Sequence, residues 1–173
     1  LAGLRARSAW GNLQVPAYGG GTARTEFEAL TGYPLHAFPR VSHPYSALAQ
    51  KPLLALPRQL RGLGYRTVAV HPYQRGFWSR DTALPYLGFD EFIDEEAFDH
   101  GDRHGWYIGD DALLRQVAGV LGQADADGDG QSPLFVFAIS MENHGPWDER
   151  PEPPPRPVDG RAEIGRASCR ERV

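Results

Sequence analysis

The sequence predicts an α/β domain with a largely parallel central sheet flanked by helices. Two apolar runs, TVAVH at residues 67–71 and LFVFAISM at residues 134–141, alternate with stretches of helical periodicity. Strands separated by helical segments are the pattern of a parallel sheet, because a parallel partner is reached through a crossover long enough to hold a helix.

In chain order, helical patterns occupy residues 23–31 and residues 46–63. Pro52 and Pro57 disturb the first half of the second, since proline lacks the N–H that a helix interior uses. Residues 67–71 are a β-branched run after a Gly-Tyr turn, and a third helical pattern covers residues 110–121. Each helix is expected to cover a face of the sheet. DADGDGQ at residues 125–131 reads as a polar loop. Residues 134–141 are continuously apolar, as in a strand buried on both faces. The PEPPPRP segment at residues 151–157 is expected to be exposed, so the ordered domain should fray after about Trp147.

The polar loop imitates a calcium site without completing it. Asp125, Asp127, Asp129 and Gly130 match the start of an EF-hand loop, but the twelfth position, which needs a bidentate Glu, is Val136. A plain solvated turn is the expectation.

Composition narrows the function classes. The 173 residues suffice for one globular domain, and no stretch approaches the roughly 20 apolar residues of a membrane span. Eighteen basic residues against 22 acidic ones give a net charge of −4 without a basic cluster before the last few residues, so no electrostatic footprint for nucleic acid is present. The start, LAGLRARSAW, lacks an initiator Met, an apolar core and a cleavage site, and reads as the middle of a longer chain. Residues 163–173, EIGRASCRERV, can be back-translated into a sequence resembling a common sequencing-library adapter, which marks them as an expected artefact. The single cysteine, Cys169, falls there, so neither a disulfide nor a thiol nucleophile is supported.

Chemistry is concentrated first at YGGGTARTEFEAL, residues 18–30, where three glycines precede Thr22 at the start of a helical pattern. Glycines let backbone approach a ligand closely, and a helix N-terminus offers unpaired N–H groups to an anion. Thr22 could serve there as an activated nucleophile or simply as a helix cap.

GGGTARTEFEALTGYP resembles the nucleophile segment of bacterial phosphoglycerol transferases of the lipoteichoic acid synthase type, in the alkaline phosphatase and sulfatase superfamily. HPYQRGFWSRDTALPYLGFDEFID resembles that family's Phe-Trp-Asn-Arg-Asp stretch and the Gly-Phe-Asp segment after it. FAISMENHGPW resembles the strand ending in an Asn-His-x-Pro turn. The three motifs occur in the family's order over about residues 12–147.

The resemblance implies an alkaline phosphatase/sulfatase-like fold, truncated at both ends, with residues 1–150 forming part of the catalytic domain, 151–162 a proline-rich loop and 163–173 the artefactual tail. It implies Thr22 as nucleophile and as one ligand of a divalent metal, Mn2+ or Mg2+. The family's other metal ligands, an upstream Glu and a downstream Asp-His pair, would fall outside this chain, so the isolated chain is expected to be inactive. Trp78 and Arg80 match positions lining the phosphoglycerol headgroup site, and His144 matches a phosphate-contacting His. A guanidinium suits phosphate because it donates two parallel hydrogen bonds. Without the family match, Trp78 would read as a core aromatic, Arg80 as a surface partner of Asp81, and His144 as a turn residue. Ser79 replaces the usual Asn, and Tyr73 stands where lipoteichoic acid synthases have Asp.

The implied reaction transfers phosphoglycerol, or a related headgroup such as phosphoethanolamine, from a phosphatidylglycerol-like lipid to a glycan or polyol acceptor through a phospho-threonine. The family is membrane-anchored with its catalytic domain outside the cytoplasm, so the parent protein is expected in the cell membrane through an anchor lying outside this chain. The alternatives are a sulfatase- or phosphatase-type hydrolase and an inactive headgroup-binding homologue. A sulfatase would carry a Cys/Ser-x-Pro-x-Arg pattern, and the residues around Thr22 do not.

Overall fold

The computed structural model describes residues 21–126 and 132–145, with residues 3, 6–9, 11, 14 and 15 before them. Most of the glycine run before Gly21, most of the polar loop, the proline-rich segment and the basic tail lie outside the described residues.

The first helix, α1 (Thr22–Thr31), begins at Gly21 and ends where Gly32 adopts a left-handed conformation, its N–H reaching back to Glu28 O. The long helix expected over residues 46–63 is instead two short ones, α2 (Pro44–Leu48) and α3 (Leu56–Gly62). Between them the chain leaves helical geometry around Pro52, and Leu53 donates its N–H to Tyr86 O at 3.1 Å, outside either helix. Each helix instead starts with a proline in its first turn, where the missing N–H costs nothing.

Strand β1 (Arg66–Val70) follows a tight turn, and α4 (Arg80–Leu87) and β2 (Glu91–Ile93) come next. A small antiparallel ribbon, β3 (Arg103–His104) with β4 (Tyr107–Ile108), precedes α5 (Asp110–Ala126). Strand β5 (Leu134–Ala138) completes the sheet. The order is β2-β1-β5 and both pairings are parallel, with Val68 opposite Glu91 and Val136.

Alternation along the central strand divides the core. Ala69 packs with Phe27, Leu30, Tyr45, Leu84 and Phe89 from the α1, α2 and α4 side. Val68 and Val70 point the other way, with Ile93 and with Leu113 and Val120 of α5. Helices thus cover both faces, as expected for a parallel sheet. With all three strands parallel, their carboxyl ends form one edge of the domain, the place where open α/β sheets put ligands.

Candidate active site

Three chain segments meet at that edge. His71, the residue after β1, donates its backbone N–H to Ile93 O of β2 at 2.9 Å, and Ile139, just past β5, donates to Val70 O at 2.9 Å. The His71 side chain is fully buried, with Nδ1 3.1 Å from Ile139 O. A carbonyl can only accept, so Nδ1 carries the proton and Nε2 presents a lone pair. Nε2 is buried and has no hydrogen-bond partner among the described residues. Burial first, then the Arg80 charge and, as a smaller cause, His144 lower the His71 pKa from 6.5 to about 4, against the opposing Ile139 hydrogen bond, so the ring is neutral near pH 7.

The loop from His71 leads to Trp78 and Ser79, whose φ values of 60° and 59° place two successive non-glycine residues in the left-handed region. Such residues cost on the order of 1–3 kcal/mol each and persist where packing over-determines them. Here the packing is visible. The Trp78 ring lies 4.4 Å from the His43 ring and 5.3 Å from Phe77, and it rests against the α1/α2/α4 core. The kink turns the chain directly into α4, whose first residue is Arg80.

Arg80 is 2% exposed, which corrects the surface pairing with Asp81 that its sequence neighbourhood offers. Its Nη2 donates to Glu26 Oε1 at 2.7 Å and its Nε to Oε2 at 3.1 Å, while Nη1 donates to Phe77 O at 3.2 Å. Glu26, on α1, is 7% exposed. Tyr45 donates its hydroxyl to Glu26 Oε2 at 3.1 Å, and the Arg80 guanidinium lies 5.9 Å from the Tyr45 ring centre. Burial and then the Glu26 charge push the Tyr45 hydroxyl well above the ordinary tyrosine value, so it remains a donor.

Thr22 is the first residue of α1 and its side chain is exposed. The N-cap position belongs to Gly21, so Thr22 is not the cap. Glu26 lies four residues on, and side chains at that spacing share one face of a helix. His144 is exposed on the turn after β5, its N–H donating to Met141 O at 2.9 Å and its ring 5.7 Å from Tyr107.

Sequence reasoning named Thr22, Trp78, Arg80 and His144 and missed Glu26, Tyr45 and His71. For His71 a signal existed, a His directly after a buried strand. Glu26 and Tyr45 carried none, because their partner is distant in sequence. Among the described residues no group of three or more His, Cys, Asp or Glu side chains could hold a metal ion. Thr22 and its described neighbours therefore do not by themselves fit a divalent metal.

The family model described as Sulfatase matches residues 4–167. The chain belongs to the sulfatase family. This sulfatase-family chain is 38% identical over 141 residues to the capsular polysaccharide biosynthesis protein RkpI of Rhizobium meliloti (strain 1021), covering 80% of the chain and 26% of that protein. A protein of the same strain named for cyclic beta-1,2-glucan modification is 36% identical over 138 residues, 80% of the chain and 21% of the relative. The sulfatase-family fold is matched in structure by the lipoteichoic acid synthase LtaP of Listeria monocytogenes, with TM-score 0.68, 20% identity, 87% of this chain and 36% of that one. Streptococcus pyogenes phosphoglycerol transferase GacH, solved with sn-glycerol-1-phosphate, gives 0.62 and 25% identity over 78% of this chain and 35% of that one. The chain thus spans about a quarter of these curated relatives and about a third of these solved structures.

Proposed function

We propose that this chain is the nucleophile-bearing part of a phosphotransferase that moves phosphoglycerol, or a related phospho-headgroup, from a phospholipid to a glycan or polyol acceptor. The observation that carries it is a chain of contacts: Thr22 heads the helix whose next turn holds Arg80 through Glu26, and Arg80 and His144 both bear electrostatically on His71, whose buried Nε2 has no hydrogen-bond partner among the described residues. A hydroxyl nucleophile, a cation and a neutral acceptor are the groups that transfer of a polyol phosphate calls for.

In the proposed reaction the Thr22 oxygen attacks phosphorus, the bond from phosphorus to the diacylglycerol oxygen breaks, and that oxygen leaves with a proton. An acceptor hydroxyl then attacks the phospho-threonine and regenerates Thr22. Arg80 holds phosphate oxygens, Trp78 walls the headgroup, His71 Nε2 accepts a hydrogen bond from a headgroup hydroxyl, and His144 donates to the phosphate or to the leaving oxygen. A divalent cation, Mn2+ or Mg2+, would supply Lewis-acid activation, with Thr22 as one ligand and the others outside the described residues.

The glycan-related names of the two Rhizobium relatives and the sn-glycerol-1-phosphate bound to GacH support an acceptor and a donor of these classes. In this reading the parent enzyme acts at a membrane with its catalytic domain outside the cytoplasm, as the resemblance to lipoteichoic acid synthases implies; no helix among the described residues is long and apolar enough to cross a membrane. Ester hydrolysis is the second reading, favoured by the sulfatase-family match itself. Product analysis of the parent enzyme on phosphatidylglycerol decides between them. Transfer gives diacylglycerol and a phosphoglycerol-bearing acceptor, and a Thr22 peptide carrying glycerophosphate accumulates when acceptor is withheld. Free glycerol phosphate, unaffected by acceptor, would overturn transfer.

A further inference from the structure

The Arg80–Glu26 pair has a chemical cost that packing does not explain. Replacing a buried ion pair by apolar side chains is often neutral or stabilising, because desolvating two charges offsets their attraction. Here both partners are almost completely buried, and Glu26 takes a further hydrogen bond from Tyr45. The distribution of donors is informative. A guanidinium has five N–H groups. Nε and Nη2 present one edge to Glu26, and Nη1 gives one hydrogen to Phe77 O. One hydrogen on Nη1 and one on Nη2 remain for a further acceptor, and a guanidinium grips two oxygens of a phosphate when two such hydrogens lie parallel.

We propose that Glu26 is a positioning residue that clamps the Arg80 guanidinium side-on, so that its remaining end-on pair of N–H groups faces the phosphate attacked by Thr22, with Tyr45 holding the Glu26 carboxylate in turn. The assignment rests on the phosphotransfer reading above. It gives the α1 helix two tasks at once: its first residue carries the nucleophile, and its fifth sets the cation. Nucleophile and anion-binding group then move as one body, although 54 positions separate Glu26 from Arg80 in sequence. The kink at Trp78 and Ser79 delivers Arg80 to that clamp from the other side.

Orientation and simple charge make opposite predictions. If Glu26 only neutralised Arg80, removing its charge would tighten binding of an anion. If Glu26 orients the fork, Glu26→Gln puts an amide N–H against a guanidinium N–H, turns the fork, and weakens binding. The experiment is isothermal titration of sn-glycerol-1-phosphate into the full-length parent protein and its variants, with circular dichroism as the check on folding. Glu26→Gln is expected to weaken binding by about tenfold or more, as displacement of a positioned group by a fraction of an ångström does, and Glu26→Asp to recover part of the loss. In an Arg80→Ala background the Glu26→Gln effect should vanish. Tyr45→Phe, which keeps the ring and removes only the donor, should weaken binding a few-fold and serves if Glu26→Gln does not fold. Unchanged or tighter binding in Glu26→Gln, or in Tyr45→Phe where the former is unfolded, overturns the clamp while leaving the phosphotransfer reading in place if Arg80→Ala alone abolishes binding. No binding by the wild type, or full binding by Arg80→Ala, overturns both.

Discussion

His71 and Ile139 join the carboxyl ends of the two longest strands through a side chain, the His71 Nδ1–H donating to the Ile139 carbonyl at 3.1 Å. The bond fixes the tautomer that leaves Nε2 as an acceptor, and it does so where protonation is disfavoured first by burial and then by Arg80.

Stability should therefore fall on acidification through His71. Above pH 6.5 the ring is neutral in folded and unfolded chains alike, and the full stability is present. As pH drops, the unfolded chain takes the proton first, so stability is lost between 6.5 and about 4, below which the loss is complete. With these values the loss from pH 7 to pH 5 is about 2 kcal/mol. Urea denaturation of residues 1–173 at both pH values should show His71→Gln losing less than the wild type by that amount. Equal losses would remove His71 as the cause.

Thr22→Ala should lower transfer by the parent enzyme by about a thousandfold or more, because the covalent route loses its attacking atom. The side chain is exposed at the head of α1 and Gly21 already occupies the cap position, so folding should be unchanged. Turnover near wild type in a variant folded by circular dichroism would move the nucleophile elsewhere.

The sheet was legible because β1 and β5 are apolar runs too short and too β-branched for helices. What sequence left hidden has local causes. Strand β2 has only Glu91, Phe92 and Ile93, too few residues for a period. Helix α4 contains Pro85 and starts from two left-handed residues, a pattern that reads as a loop. Helix α5 runs to Ala126, through the first residues of the expected polar loop, since Asp125 and Ala126 continue the turn. Motifs in the sequence singled out Thr22, Trp78, Arg80 and His144, and the structure has Thr22 and His144 exposed. The burial of Arg80 was not legible, because an arginine reads as surface until the carboxylate that neutralises it is placed, and Glu26 lies on another helix.

Arg80→Lys keeps the charge and loses the planar fork. A lysine cannot bond both oxygens of Glu26 and still present two parallel donors, so kcat/KM for transfer should fall by about tenfold or more. The same change should cost roughly 3 kcal/mol of stability, since it leaves a buried carboxylate poorly matched. Wild-type kinetics in a folded Arg80→Lys protein would exclude a fork at the phosphate.

Gly88 tests how α4 is seated. Its φ of +106° is left-handed, and a Cβ there would lie 2.5 Å from Arg58 Cα and 2.6 Å from Arg58 N, both backbone atoms that cannot swing away. Gly88→Ala should cost about 2–4 kcal/mol through strain and overpacking. Gly32, at φ +71° with nothing within 4 Å of the added carbon, is the control. Gly32→Ala should cost only about 1 kcal/mol. Similar losses at the two sites in thermal unfolding would show that α3 yields to the added methyl.

Residues 1–173 should not bind Mn2+ tightly. Thr22 offers one neutral hydroxyl, and a hydroxyl without carboxylate or imidazole partners gives a divalent ion little charge and no closed geometry. Among the described residues His104, Asp110 and Glu142 lie together at the start of α5, with His104 Nδ1 and Asp110 Oδ1 buried and without a hydrogen-bond partner, but no group of three ligating side chains there has the arrangement to hold a metal ion. Glu142 Oε2 accepts the Asp110 backbone N–H at 2.6 Å, and Glu142 Oε1 lies 3.4 Å from His104 Nδ1. Burial and then the Glu142 charge raise the Asp110 pKa. Asp94 is spent on Arg75 and on the Glu96 N–H. Isothermal titration of the purified chain with MnCl2 should give only weak, unsaturable heats. A stoichiometric site of micromolar affinity would mean that His104, Asp110 and Glu142 rearrange around the ion, and a charge-removing Glu142→Gln variant that lost the site would locate it there and not at Thr22.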